Sequence, residues 1–202
     1  DVVVRWTPIF GATHYRVYRS TTSSFTAALA LSSWQAEQEF VDLTAAPGET
    51  YYYWIKAATG ASGLNAGRNS EAVQGYRRLA RPEEFEVDSG DPEKVAVTWE
   101  SLQGAGLYRV YRSASADSST ATALSAWQVG RIFQDDTAVH GQTYYCSIRS
   151  ATDATLDRIS PLSLAASGYR GVPEPDGVGS SRGNLQHVQV EWDPIDGADR
   201  YR

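Results

Sequence analysis

The chain repeats itself at a fixed interval, and that repeat constrains its fold more than any other feature of the sequence. Residues 94–113, KVAVTWESLQGAGLYRVYRS, restate residues 1–20, DVVVRWTPIFGATHYRVYRS, and the pattern starts again as HVQVEWDPIDGADRYR over 187–202. Trp6, Trp99 and Trp192 mark it, so the period is 99 − 6 = 93 and again 192 − 99 = 93. Residues 1–82 and 94–175 align without a gap and agree at about 35 of 82 positions. A unit of this length can bury a core of its own, so the 202 residues divide into two units and part of a third.

Inside each unit the apolar residues alternate. Val2, Val4 and Trp6 share one face, as do Tyr15 and Val17 beyond the turn at Pro8 and Gly11. Period-two alternation with one apolar face predicts half-buried strands. The same reasoning places strands at Ala28–Trp34, Glu39–Asp42, Tyr51–Ala57 and Ser70–Tyr76, with a Ser/Thr-rich loop over 20–26 and a turn at Pro47-Gly48. About seven short strands per unit with no helical period predict an all-β, antiparallel sandwich. The segment Arg78–Asp91 joins the units and supplies the first strand of the one that follows. The expected domains are therefore 1–79, lacking a first strand, then 80–172, complete, then 173–202, the beginning of a third. The absence of methionine fits a piece of a longer array.

Three motifs carry a specific resemblance: Val95-x-Val97-x-Trp99, Tyr108-x-Val110, and Pro47-Gly48-x-x-Tyr51. On these residues the chain resembles tandem fibronectin type III domains of the kind found in bacterial extracellular proteins. The second copy departs at His140, where that family prefers proline. The resemblance implies immunoglobulin-like sandwiches arranged end to end, with neighbouring domains as partners and an extracellular or cell-surface location. It also implies a tyrosine corner at Tyr51 and Tyr144, each hydroxyl bonding back to upstream backbone.

Charge and chemistry narrow the function. A net charge of −6 and a pI near 5.1 disfavour a nucleic-acid or anionic-membrane partner. No apolar run approaches the ~20 residues that insertion across a bilayer needs. The lone cysteine, Cys146, takes the inward position of Tyr53 and is expected to be a buried thiol. His14, His140 and His187 occupy unrelated repeat positions without metal-ligand spacing, and no G-x-S-x-G elbow occurs. Gly177–Gly183 lacks the lysine of a phosphate loop. The acidic joining segment, with Glu83, Glu84, Glu86, Asp88 and Asp91, could ligate calcium at a domain junction, but only Glu174 and Asp176 echo it at the next junction, so a solvated strand and loop is the expectation. The expectation is a protein without catalytic, metal or cofactor-binding residues.

One surface stands out. Arg16, Tyr18, Tyr52 and Trp54 have outward parity on neighbouring strands, beside Lys56, and Arg109, Tyr111 and Tyr145 repeat the pattern with Ser147 replacing the tryptophan. Cross-strand pairing with arginine over aromatic rings explains such a strip structurally. The functional alternative is a contact patch for a glycan, a surface protein or another copy of the chain. The leading reading is a non-catalytic spacer, stalk or adhesion module. Two others are accessory domains of an extracellular polysaccharide-degrading enzyme and a self-associating filament or surface-layer subunit. In the last, the strand at Val2–Trp6 would accept a first strand from another chain's tail, near Gly177–His187.

Overall fold

Alternating side chains become paired strands. The structure is a computed structural model that describes residues 1–183 and 186–202. It divides the chain into two compact units, Asp1–Ala80 and Arg81–Arg202. In the first, β1 (Val2–Arg5) pairs antiparallel with β4 (Glu39–Asp42), Val2 opposite Asp42 and Arg5 opposite Glu39. The facing sheet runs β3 (Leu29–Ala30), β2 (His14–Ser20), β5 (Thr50–Ala58) and β6 (Val73–Tyr76) in that spatial order. Val2, Val17, Tyr51 and Tyr53 meet between the sheets, with Val4, Trp6, Phe40 and Ile55 packed around them.

The second unit repeats this arrangement. Its larger sheet runs β10 (Thr122–Ala123), β9 (Leu107–Ser113), β12 (Thr143–Ala151) and β13 (Ala166–Tyr169). The other sheet sets β8 (Val95–Trp99) between β11 (Ile132–Asp135) and β7 (Phe85–Val87). Val97, Trp99, Tyr108, Val110, Cys146 and Ile148 form the core. Farther on, β14 (Gly179–Ser180) and β15 (Val190–Glu191) pair in the register of β7 on β8. A likeness of pattern has become a likeness of register.

The recurring stretch is an arch pinned from inside. The rings of Trp6 and Tyr15, Trp99 and Tyr108, and Trp192 and Tyr201 lie 5.7, 5.7 and 5.3 Å apart, tilted by 56°, 51° and 50°. Each tyrosine hydroxyl accepts a hydrogen bond from backbone six residues upstream: Ile9 N at 2.9 Å, Leu102 N at 2.7 Å and Ile195 N at 2.8 Å. The turns between them need φ of 78°, 83° and 79° at Gly11, Gly104 and Gly197, which explains why these positions keep glycine.

Two expectations are corrected here. The strand expected at Ala28–Trp34 shrinks to Leu29–Ala30, because the Ser32 hydroxyl accepts from Val17 N at 3.0 Å where a carbonyl would continue the ladder. The second copy does the same through Ser125 and Val110. Tyr51 does bond back upstream, accepting from Ala46 N at 3.3 Å, but Tyr144 does not. Its hydroxyl instead donates to Gln142 Oε1 at 3.0 Å.

Candidate contact face

The outward aromatic residues do sit together. Tyr18 lies opposite Trp54, Ser20 opposite Tyr52, and Arg16 opposite Lys56 across β2 and β5. Tyr52 and Trp54 stack at 6.4 Å with 30° between their planes. Phe25, on the 3-10 turn Phe25–Ala27, closes over them. Its ring meets Tyr18 at 5.2 Å and Trp54 at 5.6 Å, both edge-on. Trp54 is consequently only 3% exposed, so outward parity does not make it a surface residue. Arg16, Tyr18 and Tyr52 are half-buried. Lys56 Nζ sits 4.9 Å from the Phe25 ring and 5.7 Å from that of Tyr18.

The second unit keeps the cations and loses the clamp. Arg109 and Arg149 flank the Tyr111 ring at 5.8 and 5.7 Å, while Ser118 and Ser147 stand in for Phe25 and Trp54. Tyr111 and Tyr145 are half-buried. The arginines also have a backbone role: Arg16 Nε donates to Ser32 O and Arg109 Nε to Ser125 O, both at 2.9 Å. In each copy one guanidinium therefore braces the segment beyond the short strand. Phe25 was hidden in the sequence inside a Ser/Thr-rich loop; being the sole aromatic residue of that loop was the available signal.

A second constellation was missed altogether. Arg19 Nη1 donates to Asp42 Oδ2 at 2.6 Å and to Thr44 Oγ1 at 3.0 Å, and its guanidinium lies 4.4 Å from the Tyr51 ring centre. The other carboxylate oxygen accepts from Thr44 N and Oγ1, both at 2.8 Å. In the second unit Arg112, Asp135, Thr137 and Tyr144 repeat every contact. The carboxylates are 1% and 2% exposed. An ion pair this deep persists because hydrogen bonds satisfy the remaining lone pairs. The signal was the repeated Asp-x-Thr at 42–44 and 135–137.

One partner differs. Tyr53 donates its hydroxyl to Asp42 Oδ2 at 2.8 Å, whereas the second unit has Cys146 at that position. Burial alone would raise the Asp42 carboxyl, but hydrogen bonds from Thr44, Tyr53 and Arg19 outweigh it and hold the group below the usual aspartate range. Burial, reinforced by the Asp42 charge, pushes the Tyr53 hydroxyl well above its ordinary value. Burial also pushes the Cys146 thiol up to about 11, with the Asp135 charge adding and Arg112 opposing. Such a thiol is inert as a nucleophile at neutral pH. Among the described residues, no three His, Cys, Asp or Glu gather as a metal-binding group.

No protein-family model matches the sequence, and no curated protein matches it. Solved structures do match the fold. A two-domain fibronectin type III segment from chicken tenascin is 16% identical, covers 82% of this chain and 89% of its own, and superposes with a TM-score of 0.54. The FN1–FN3 domains of chicken CNTN1 are 16% identical over 96% of this chain and 71% of theirs, with a TM-score of 0.39. The first likeness establishes the fold: tandem sandwiches of the fibronectin type III kind.

Proposed function

We propose that this chain is a non-catalytic structural module, a spacer of tandem sandwiches within a secreted or cell-surface protein of the bacterial type. One observation carries the reading: three pairs of polar residues recurring at the 93-residue interval serve the fold in the same way in both units. Asp42 and Asp135 anchor arginines and turn the chain, Tyr15 and Tyr108 pin arches, and Arg16 and Arg109 brace loops. Selection for a repeated site would leave repeated polar groups free in a cleft; selection for a repeated strut uses them inside. A composition rich in serine and threonine, with lysine only at Lys56 and Lys94, suits a surface-exposed protein.

A spacer must resist extension. Pulled from its ends, the chain should lengthen in discrete cooperative steps of about 25 nm, the contour length of one ~80-residue unit. Smooth extension at low force, without steps, would sink the proposal.

A further inference from the structure

The segment that leaves the second sandwich is fastened before it reaches the third copy of the repeat. Gly141 N donates to Arg170 O at 2.9 Å and Gly171 N to Asp91 O at 2.8 Å, so the end of β13 is held on both sides. The Arg170 guanidinium donates to Pro92 O at 2.8 Å and to Asp136 O at 2.9 Å. His140 Nδ1 donates to Gly171 O at 2.7 Å, which a ring carrying its proton on Nδ1 can do. The packing is close enough that a Cβ on Gly171 would collide with the Gly90 carbonyl.

The residues that follow have little freedom. Val172-Pro173-Glu174-Pro175 carries two prolines, each fixing its own φ and holding the residue before it extended. At the far end Asp176 O accepts from Asp193 N at 3.2 Å, just beyond β15. Val172 also lines an apolar pocket with Trp192, Ile195 and Tyr201, so the linker joins the apolar face of the third copy. Leu79, which holds the Val172 position one repeat earlier, is 4% exposed.

The two copies then meet backbone to backbone. Gly197 forms the third arch turn, and a Cβ there would collide with the His140 carbonyl oxygen. A Cβ on Gly141 would lie 2.9 Å from Gly197 O and 3.8 Å from Val172 Cγ2. Glycine at 197 therefore serves proximity as well as φ.

We infer that the corner His140-Gly141 is a seat for the arch turn of the following copy, and that the joint so made is stiff instead of hinged. The partner this surface fits is another repeat, presenting a glycine at its arch turn above an apolar linker residue. Neighbouring domains with small interfaces ordinarily move against each other. Here the anchored proline linker removes the slack, and the glycine seat removes the remaining rotation. The stiffness rests on the spacer reading and sharpens it, because a stiff joint holds distance where a flexible linker only bounds it.

The test is ¹⁵N relaxation on the whole 202-residue chain. Backbone order parameters of about 0.85 are expected over residues 190–198, matching β8 and β9, with nuclear Overhauser contacts between Gly197 and His140. Gly197→Val should wedge the seat open and bring those order parameters below about 0.6. Val172→Ser, which places no side chain at positive φ and keeps both prolines, should lower them by a smaller amount. In both variants Cys146 should stay unreactive towards a thiol reagent, showing that the second sandwich remains folded. Order parameters below about 0.6 in the unaltered chain, or values that neither substitution changes, would overturn the stiff joint. Stepwise extension under force would then still stand for the spacer reading, whereas smooth extension would sink that reading whatever the joint does.

Discussion

The first and second units keep the same arch, the same buried Arg–Asp pair and the same loop brace, yet they differ at Tyr53 and Cys146, Trp54 and Ser147, Phe25 and Ser118. All three differences cluster around one strand pair, β2–β5 or β9–β12, whereas the arch and the Asp-x-Thr turn do not change. Backbone donors explain the division. Tyr15, Tyr108, Asp42 and Asp135 each accept a hydrogen bond from a main-chain N–H, and removing that acceptor costs the donor its bond. Phe25 and Trp54 contribute ring contacts, and a pair of serines can replace them together because the clamp is lost as a whole.

Different substitutions can break or sharpen this comparison, provided each unit is followed separately. Cys146 is 1% exposed, so its reaction with a thiol reagent reports opening of the second unit, while Trp54 fluorescence reports the first. The largest effect is expected from Asp42→Ala, which strands a mostly buried arginine and orphans the Tyr53 hydroxyl, at a cost of about 3–5 kcal/mol. Asp135→Ala lacks the tyrosine partner and should cost about 1 kcal/mol less in denaturant titrations. Equal losses would mean that Tyr53 adds nothing.

Tyr15→Phe and Tyr108→Phe should each destabilise their own unit by about 1–3 kcal/mol, because each removes the acceptor of a backbone N–H. A difference between the two much beyond ~0.5 kcal/mol would show that the arches are not equivalent. Acid should weaken the first unit. The folded Asp42 carboxyl titrates below the ordinary value of 3.8, so its stabilisation is complete above that value and lost as pH falls through the lowered one. The first unit's denaturation midpoint should therefore drop below about pH 4, and Asp42→Asn should flatten that slope. The smallest contrast is at the corner. Tyr51→Phe should cost about 1 kcal/mol, and Tyr144→Phe, whose hydroxyl meets only an exposed glutamine, less than about 0.5 kcal/mol in equilibrium unfolding.

The fold was largely legible in the sequence. The alternation of Val95, Val97 and Trp99, and of Tyr108 and Val110, survives as the inward face of β8 and β9, since period-two burial is a local property of a strand. The candidate face was only half legible. Parity correctly placed Tyr18, Tyr52 and Trp54 on one side of β2 and β5, but parity cannot reveal that the 3-10 turn Phe25–Ala27, far upstream of Trp54, brings Phe25 over it. Solvent exposure depends on what crosses a face, and that depends on loop conformation.

The 93-residue period, the strand pattern and the inward position of Cys146 were fixed by the order of residues alone, because they follow from chain geometry and side-chain alternation. Tertiary structure alone decided that Asp42 and Asp135 are buried under arginines from another strand, that Trp54 lies covered, and that Tyr144 turns to Gln142. The Arg–Asp pairs and the cover over Trp54 join residues distant in sequence, and Tyr144 turns to a near neighbour where Tyr51 does not. Such contacts depend on how two sheets and their loops come together in space, which no local pattern encodes.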